Sequence, residues 1–267
     1  MAVDLNGAVA CVTGGERGIG LATAELLVRR GARVVVGDLD GDLAAQAASR
    51  IGATGLPLDV ADPASFAAFL DTAKEHGDID VLVNNAGIMR TGPFAEQDPA
   101  SQQRELAINL GGVITGMRLV LPDMLARDHG HIANVASMAG KITTPGASIY
   151  TATKTGVVAL SRAVRAEIAG SHVTVSTILP AAVKTELTAG LDTSLMPLSD
   201  PSSVAEAIVG SCRHGRAEVG VPRWIPAVGQ FVEVLPEPVG EAAKRAAGAQ
   251  RRLTPDTLQA RAYQERL

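Results

Sequence analysis

The sequence predicts a doubly wound α/β fold, with a seven-stranded parallel sheet, helices on both of its faces, and a C-terminal helical extension on the same domain. Two observations carry this prediction. Short apolar runs alternate with Ala-rich and Leu-rich stretches of helical period, and such uninterrupted apolar strands are typical of parallel sheets buried on both faces. The chain has 267 residues, of which 46% are hydrophobic and 19% charged, so it can bury the core of one large domain.

The elements follow one another in a regular succession of strand and helix. We expect strands at 8–13, 33–36, 54–58, 79–84, 131–136, 173–179 and 218–221. We expect helices at 19–30, 41–51, 63–76, 100–125, 150–169 and 201–214. Gly31 ends the first helix, and Asp62 is the expected cap of the third. The succession has no obvious linker, so we assign residues 1–221 to one domain and residues 222–267 to an extension packed on it.

The extension has an unusual composition, because it contains five of the 14 prolines and the only tryptophan. Residues 224–235 have the pattern of an amphipathic helix. Pro236 and Pro238 would end this helix, and a charged helix is expected over 240–250.

Charge and cysteine content exclude several classes of function. The chain has 24 Lys and Arg against 28 Asp and Glu, with a formal net charge of −4, so it lacks the basic surface that nucleic acid requires and we expect no nucleic-acid partner. Cys11 and Cys212 are too few for a disulfide framework, which suits a reducing cytoplasmic compartment. We expect neither a signal peptide nor a membrane span. His129 and His131 lack a third ligand, so no metal site is expected.

A glycine-rich turn follows the first strand and opens the first helix. Its sequence is TGGERGIG at 13–20. Glycines permit a sharp turn and let backbone N–H groups approach a pyrophosphate at the helix N-terminus. Asp38 ends the second strand, where a carboxylate can accept hydrogen bonds from the hydroxyls of an adenosine ribose. Together these features predict a Rossmann-like site for a nicotinamide dinucleotide.

Two charged residues bear on the choice between NAD(H) and NADP(H). Asp38 would repel the 2′-phosphate of NADP(H), whereas Arg17 could pair with it. Because a repulsive element is a common means of discrimination, we give Asp38 more weight and expect NAD(H). Glu16, in the same turn, is expected to face solvent.

Tyr150, Lys154 and Ser137 are the candidate reacting groups. Tyr150 and Lys154 are four residues apart, so on a helix they share one face. A neighbouring ammonium favours the phenolate form of tyrosine, which would make Tyr150 a general acid or base near neutral pH. Ser137 follows the fifth strand and would lie at the carboxyl edge of the sheet, where ligands bind. Its hydroxyl could donate to a substrate carbonyl.

The sequence resembles the classical short-chain dehydrogenase/reductase family. The matching elements occur in family order between about residues 5 and 221. They are TGGERGIG at 13–20, Asp38, Leu58-Asp59-Val60, Asn84-Asn85-Ala86-Gly87, Asn109, Ser137, Tyr150-Thr151-Ala152-Thr153-Lys154 and Pro180-Ala181-Ala182-Val183-Lys184-Thr185. The resemblance implies a dinucleotide-binding and catalytic domain that transfers a hydride to or from CH–OH groups, without a metal.

The resemblance also implies a role for individual residues. Tyr150 would be the acid/base, Lys154 would lower its pKa and bind the nicotinamide ribose, and Ser137 would orient the substrate oxygen. Asn109 would hold a water that links Lys154 to solvent, and the alternative for Asn109 is a helix-interior amide bonded to backbone. The implied cofactor-binding residues are Gly14, Arg17, Gly18, Ile19, Gly20, Asp38, Asp59, Val60, Asn85, Ala86, Gly87, Tyr150, Lys154, Pro180, Val183 and Thr185.

The expected substrate is a small hydrophobic secondary alcohol or ketone. Small and aliphatic residues lie between Ser137 and Tyr150 and again over 184–199, where the family places its substrate lid. Only Lys141 and Lys184 could clamp a charged substrate. A 3-oxoacyl thioester reductase of lipid metabolism and a non-catalytic dinucleotide-binding regulator are the alternatives.

Three interpretations of the extension stay open: a lid over the substrate, a subunit contact, and a peripheral membrane anchor. The family resemblance implies a homodimer or homotetramer. The extension adds chain near the seventh strand, where it could block one of the packing axes of a tetramer.

Overall fold

The computed structural model describes residues 3–188 and 198–234, together with 238–239, 253, 257 and 263–264. In chain order its strands are β1 (Val9–Thr13), β2 (Arg33–Asp38), β3 (Thr54–Pro57), β4 (Ile79–Asn84), β5 (His131–Val135), β6 (Thr174–Pro180), β7 (Ala182–Val183), β8 (Leu198–Ser199) and β9 (Glu218–Val221). Its α-helices are α1 (Gly18–Arg29), α2 (Gly41–Ile51), α3 (Pro63–Lys74), α4 (Pro99–Leu106), α5 (Gly112–Ala126), α6 (Ser148–Glu167), α7 (Pro201–His214) and α8 (Ile225–Val234).

Seven of these strands form one parallel sheet in the order β3-β2-β1-β4-β5-β6-β9. The prediction of a doubly wound seven-stranded sheet is therefore confirmed. Strand order reverses between β1 and β4, and the connections that leave their carboxyl ends run to opposite sides. Such a switch point leaves a crevice in which ligands bind. The short pair β7 and β8 forms a separate parallel sheet that the sequence did not predict.

Apolar side chains cover both faces of the sheet, as parallel strands require. On one face Phe66 and Phe69 of α3 pack with Met124 of α5 and Val157 of α6. On the other face Leu27 of α1 packs with residues of α7 such as Ile208. Cys11 and Cys212 are both buried, and burial raises the pKa of each thiol to about 12, so they pack as apolar residues.

The helix predicted over 100–125 differs in one respect from the structure. A π-helical segment, Ala107–Gly111, separates α4 from α5. Single π-turns of this kind occur frequently at functional sites, and this one contains Asn109. Elsewhere the expected signals hold: the Asp62 carboxylate accepts a hydrogen bond from the Ala64 amide at 2.9 Å and so caps α3.

The extension begins with a helix close to where the sequence predicts one. Helix α8 covers Ile225–Val234, and Ile225 is buried in the main core. The charged helix expected over 240–250 lies outside the described residues. So does the central part of the expected lid, 189–197.

His131, one of the two histidines considered above, is fully buried as the first residue of β5. Its ring nitrogens are 2.8 Å from the Thr174 hydroxyl and 3.0 Å from the Ser211 hydroxyl. Burial lowers its pKa to about 3, so the ring is neutral and serves as a core hydrogen-bonding group. Within the described ranges, no three His, Cys, Asp or Glu side chains cluster so as to hold a metal. In the same part of the chain, no helix is long and apolar enough to span a membrane.

Candidate active site

One large cavity opens at the carboxyl edge of the sheet, at the switch point between β1 and β4. Its volume is about 960 Å³. The glycine turn and Asp38 line one end, and Ser137, Tyr150 and Lys154 line the other. Each of these residues follows, or lies near, the carboxyl end of a strand. The parallel sheet therefore brings residues that are far apart in the sequence into one crevice.

The glycine turn has a conformation that requires glycine at several positions, of which Gly14 and Gly20 are examples. Gly14 has a φ of +67°, which side chains other than glycine rarely adopt. At Gly20 a Cβ atom would overlap the carbonyl oxygen of Gly14 and lie 2.8 Å from the Asn85 side-chain nitrogen. Asn85 in turn donates to the carbonyls of Thr13 and Gly14 at 2.9 and 3.0 Å. The turn is therefore held tightly, with its backbone available at the N-terminus of α1, and this suits a pyrophosphate.

Two carboxylates meet at the outer end of the turn. The Asp38 carboxylate accepts hydrogen bonds from the amides of Glu16, at 3.2 Å, and Leu39, at 2.8 Å. The expectation that Glu16 faces solvent is wrong, because only 8% of its side chain is exposed. Burial, and then the negative charge of Asp38, raise the pKa of Glu16. The turn brings Glu16 inward because its amide is bound to Asp38.

Arg17 is held by carboxylates rather than left open to a ligand phosphate. Its guanidinium lies 2.8 Å from Glu16 and 3.5 Å from Glu186. Because exposed ion pairs are weak, this arrangement alone does not remove the arginine from ligand binding. It does neutralise much of the positive charge near Asp38.

The remaining predicted cofactor residues line the cavity in two groups. Asp59 and Val60 follow β3, and Asn85, Ala86 and Gly87 follow β4. Pro180, Val183 and Thr185, at and after the end of β6, line it as well. Gly20 is the exception, because it lies behind the turn and shapes it without facing the cavity.

The three candidate reacting groups lie together at the inner end of the cavity. The Ser137 hydroxyl lies near enough to that of Tyr150 to lower its pKa. The Lys154 ammonium lies 5.6 Å from the centroid of the Tyr150 ring and donates to the Val135 carbonyl at 2.9 Å. Tyr150 and Lys154 share a face of α6, as their spacing predicts. A substrate oxygen placed between Ser137 and Tyr150 would contact two hydroxyls.

Burial controls the protonation of Tyr150 and Lys154 in the described chain. It raises the pKa of Tyr150 to about 12, although the Ser137 hydroxyl acts in the opposite direction. It lowers the pKa of Lys154 to about 8. The sequence predicted a lowered tyrosine pKa, and the structure differs because desolvation raises the pKa and the charges of Tyr263 and Glu105 act in the same direction. Tyr150 is therefore a protonated phenol at neutral pH, the form that donates a proton to a carbonyl oxygen.

Asn109 holds the loop beside the reacting groups. Its amide oxygen accepts from the Ile88 N–H at 2.8 Å, and its amide nitrogen donates to the Ile88 carbonyl at 2.8 Å. It is fully buried and does not line the cavity. A Cβ on Gly87 would lie 3.1 Å from the Asn109 side-chain oxygen and 3.5 Å from the Lys154 nitrogen. The structure thus has Asn109 bonded to backbone, and its predicted role in a water relay stays a prediction.

Glu105 is a buried acid that sequence reasoning missed. It lies one helical turn before Asn109 and is fully buried. One carboxylate oxygen is 3.3 Å from the Arg90 amide, and the other has no hydrogen-bond partner among the described residues. Burial raises its pKa to about 7, while the Arg90 amide and the Lys154 charge lower it. The one sign of this burial in the sequence is a charged residue at a core position of a helix.

Replacing Glu105 by Gln should change how stability depends on pH. Glu105 has an ordinary pKa of 4.5 and a folded pKa of about 7. Between these values the folded chain binds a proton that the unfolded chain does not, so this group lowers stability as pH rises. Between pH 4.5 and 7, the free energy of unfolding of the parent should fall by roughly 3 kcal/mol relative to that of Glu105→Gln. Urea unfolding of both proteins across this range measures the difference, and parallel curves would contradict the assignment.

The cavity beyond Tyr150 is apolar. Met89, Ala139, Ala147 and Tyr150 form a small buried cluster, with Leu187 and Leu253 packed against it. Leu253 and Tyr263, both from the extension, line the cavity. Sequence patterns could not place these two residues, because no local signal shows where a C-terminal segment returns to the domain.

Of the two lysines considered as substrate clamps, only Lys184 reaches the cavity. Lys141 is buried, does not line the cavity, and lies 3.2 Å from Glu218. Lys184 lines the cavity and lies 3.0 Å from Asp200. Arg104 is an exposed cation on the cavity lining that sequence reasoning did not single out.

Known proteins are similar to this chain in both sequence and fold. The family model described as short chain dehydrogenase matches residues 8–195. The chain belongs to the short-chain dehydrogenase/reductase family. A solved structure of a short chain dehydrogenase/reductase family protein has 31% sequence identity and a TM-score of 0.73, covering 82% of this chain and 97% of that one.

Three curated relatives illustrate the range of activities in this family. Oxidoreductase UcpA of Escherichia coli is 35% identical over 75% of this chain and 78% of its own. The 2,5-dichloro-2,5-cyclohexadiene-1,4-diol dehydrogenase LinX of Sphingobium indicum is 34% identical over 77% of this chain and 88% of its own. The 3-oxoacyl-[acyl-carrier-protein] reductase FabG of Escherichia coli is 35% identical over 71% of this chain and 79% of its own. The chain is therefore an oxidoreductase of this family, which uses a nicotinamide dinucleotide.

Proposed function

We propose that this short-chain dehydrogenase/reductase transfers a hydride between NAD(H) and a hydrophobic secondary alcohol or ketone. The observation that carries the proposal is the arrangement of Ser137, Tyr150 and Lys154 between an apolar cluster and the glycine turn. Tyr150 belongs to the apolar cluster and also lines the dinucleotide crevice. A carbonyl group can therefore reach its hydroxyl while the rest of the substrate stays in an apolar environment.

The residues of this chain supply the proton and the position, and the bound dinucleotide supplies the hydride. For ketone reduction, Ser137 donates a hydrogen bond to the carbonyl oxygen, and Tyr150 gives its proton to that oxygen as the new C–H bond forms. The C=O π bond becomes the O–H bond of the alcohol. Lys154 stabilises the resulting phenolate by its charge, and the phenolate then takes a proton from solvent, which restores the phenol. General acid catalysis of this kind contributes roughly 10² to 10⁴ in rate.

The two carboxylates at the end of the turn support NAD(H) as the cofactor. Asp38 and Glu16 would both repel the 2′-phosphate of NADP(H), and Arg17 is paired with Glu16 and Glu186. Like charges placed together cost several kcal/mol, so they discriminate strongly between the two cofactors.

The apolar walls support an uncharged substrate. Met89, Ala139 and Ala147 are buried beside Tyr150, and the two nearby lysines are in ion pairs with Glu218 and Asp200. An alicyclic or long-chain ketone fits these walls. The relative LinX is named as the dehydrogenase of a chlorinated cyclohexadiene diol, which is an uncharged alicyclic alcohol.

The direct test is a panel of hydrophobic alcohols and ketones, each assayed with NAD(H) and with NADP(H). We expect turnover of alicyclic or long-chain members, with higher kcat/KM for NAD(H). Charged ketones of similar size serve as controls and should react poorly. Absence of turnover across the panel with both cofactors would reject the proposed function.

Replacing Asp38 by Asn should weaken discrimination between the cofactors. The change removes one negative charge beside the ribose site and keeps a hydrogen-bonding side chain. We expect the NADH to NADPH ratio of kcat/KM to fall by roughly tenfold or more, about 1.4 kcal/mol. Asp40→Asn is a matched control, because Asp40 caps α2 through the Leu43 amide and does not line the cavity. Tighter binding of NADPH than NADH by the parent chain would overturn the cofactor assignment.

A 3-oxoacyl thioester reductase is the second candidate, and Arg104 is the observation that favours it. This exposed cation on the cavity lining could contact the phosphate of a phosphopantetheine group. Including a 3-oxoacyl thioester in the panel decides between the candidates. If the thioester is the best substrate, and Arg104→Ala raises the KM for the thioester but not for the other members of the panel, the second candidate holds. Dinucleotide binding without turnover of any member would instead indicate a regulator.

A further inference from the structure

The C-terminal extension returns to the mouth of the active-site cavity and is fastened on two sides. On one side, the Leu253 amide donates to the Pro145 carbonyl at 2.9 Å. Pro145 lies between Ser137 and Tyr150 in the sequence. On the other side, Tyr263 and Gln264 contact the segment 89–91, which follows β4.

Gln264 makes three hydrogen bonds to consecutive residues of that segment. Its side-chain nitrogen donates to the Met89 carbonyl at 2.9 Å, and its side-chain oxygen accepts from the Thr91 amide at 3.3 Å. The Arg90 guanidinium donates to the Gln264 main-chain carbonyl at 2.7 Å. Three bonds from one residue, two of them to backbone, fix its position far more closely than a single surface contact would. We call Gln264 and its three partners the clasp.

Tyr263 lies next to the clasp and faces the cavity. It is 7% exposed and lines the cavity together with Leu253. Burial raises its pKa to about 12, so the side chain is uncharged and presents a neutral ring. Tyr150 lines the same cavity, so both tyrosines border the space that a substrate would occupy.

We propose that Tyr263, held by the Gln264 clasp, is a specificity-determining residue that limits the size of the apolar group attached to the substrate carbonyl. The inference rests on the proposed function, because the group it limits belongs to a hydrophobic ketone or alcohol. It assigns to the extension a role as part of the substrate wall. A rigid aromatic ring at that wall excludes bulk, and its loss leaves space that a larger substituent can fill.

Amide hydrogen exchange of the full chain tests the clasp without any activity measurement. In the parent, the amide of Thr91 should exchange slowly, since it donates to the Gln264 side chain. Gln264→Ala should speed exchange at Thr91 by roughly tenfold or more. Unchanged exchange at Thr91 would show that the clasp does not form in solution.

Substrate size dependence tests the specificity role. With a series of ketones of increasing bulk, Tyr263→Ala should raise kcat/KM for the bulkiest relative to the smallest by roughly tenfold, whereas Tyr263→Phe should keep the parent ratio. Phe231→Ala is the matched control, because Phe231 is an extension aromatic that is 63% exposed and does not line the cavity. It should leave the ratio unchanged.

The outcomes separate this inference from the proposed function. If the parent reduces hydrophobic ketones and Tyr263→Ala leaves the size ratio unchanged, the specificity role is overturned while the function stands. If the parent reduces none of them with either cofactor, the function fails, and the hydrogen-exchange result still decides whether the clasp exists.

Discussion

Tyr150→Phe is expected to reduce kcat for ketone reduction by roughly 10² to 10⁴ while leaving dinucleotide binding nearly unchanged. The substitution removes the hydroxyl beside Ser137 and keeps the ring inside the apolar cluster. The carbonyl oxygen then loses the group that gives it a proton in the proposed mechanism. Steady-state kinetics with the best ketone of the panel, together with NADH titration, measures both effects.

Thr151→Val is a suitable control for this experiment. Thr151 is the next residue of α6, its hydroxyl oxygen has no hydrogen-bond partner within the described part of the chain, and it does not line the cavity. This variant also loses one hydroxyl from the same helix. It should keep the parent kcat, because that hydroxyl does not reach the substrate. Equal rates for Tyr150→Phe and the parent would show that the proton comes from elsewhere and would reject the mechanism.

Gly20→Ala is expected to have the largest effect on dinucleotide affinity. The added methyl group would overlap the Gly14 carbonyl oxygen, which is backbone and cannot move aside without opening the turn. Opening the turn misplaces the N–H groups at the start of α1. We expect affinity for NADH to fall by roughly 100-fold, about 2.7 kcal/mol, and stability to fall by about 1 to 3 kcal/mol.

Gly210→Ala provides the same chemical change at a permissive site. Gly210 lies within α7, and a Cβ there would meet no atom within 4 Å. Alanine should therefore stabilise the chain by about 0.5 to 1 kcal/mol without any change in NADH affinity. Titration and urea unfolding of both variants give the comparison. Parent-like affinity in Gly20→Ala would mean that the turn does not carry the dinucleotide.

Local sequence patterns were sufficient to predict most of the fold. Uninterrupted apolar runs such as β1, together with helix caps such as Asp62, identify elements whose order along the chain dictates a doubly wound sheet. The π-helical segment at Asn109 was not predicted, because the helical period continues through it. The pair β7 and β8 was missed because two-residue strands have no period.

The candidate site was predictable where it follows strand ends, and less so where it depends on tertiary burial. Ser137, Tyr150 and Lys154 came from spacing and from the family resemblance, and the structure brings them together. The environment of Glu16 could not be foreseen, because its burial results from the contact of its amide with Asp38. The pKa of Tyr150 was predicted in the wrong direction, because a helical spacing reveals the neighbouring lysine and conceals the cost of desolvation.

The junction between β9 and α8 determines what deletion of the extension would do. Ile225 is 1% exposed in the main core, and a Cβ on Gly229 would lie 2.8 Å from the Cβ of Lys141, so α8 packs directly over that lysine. A chain ending at Val221 would lose this core side chain, uncover the apolar residues around it and open the Lys141–Glu218 pair to water. The point at which the family's common pattern ends is thus not a point at which folding is complete, and for this protein the recognisable catalytic sequence and the cooperative unit have different lengths.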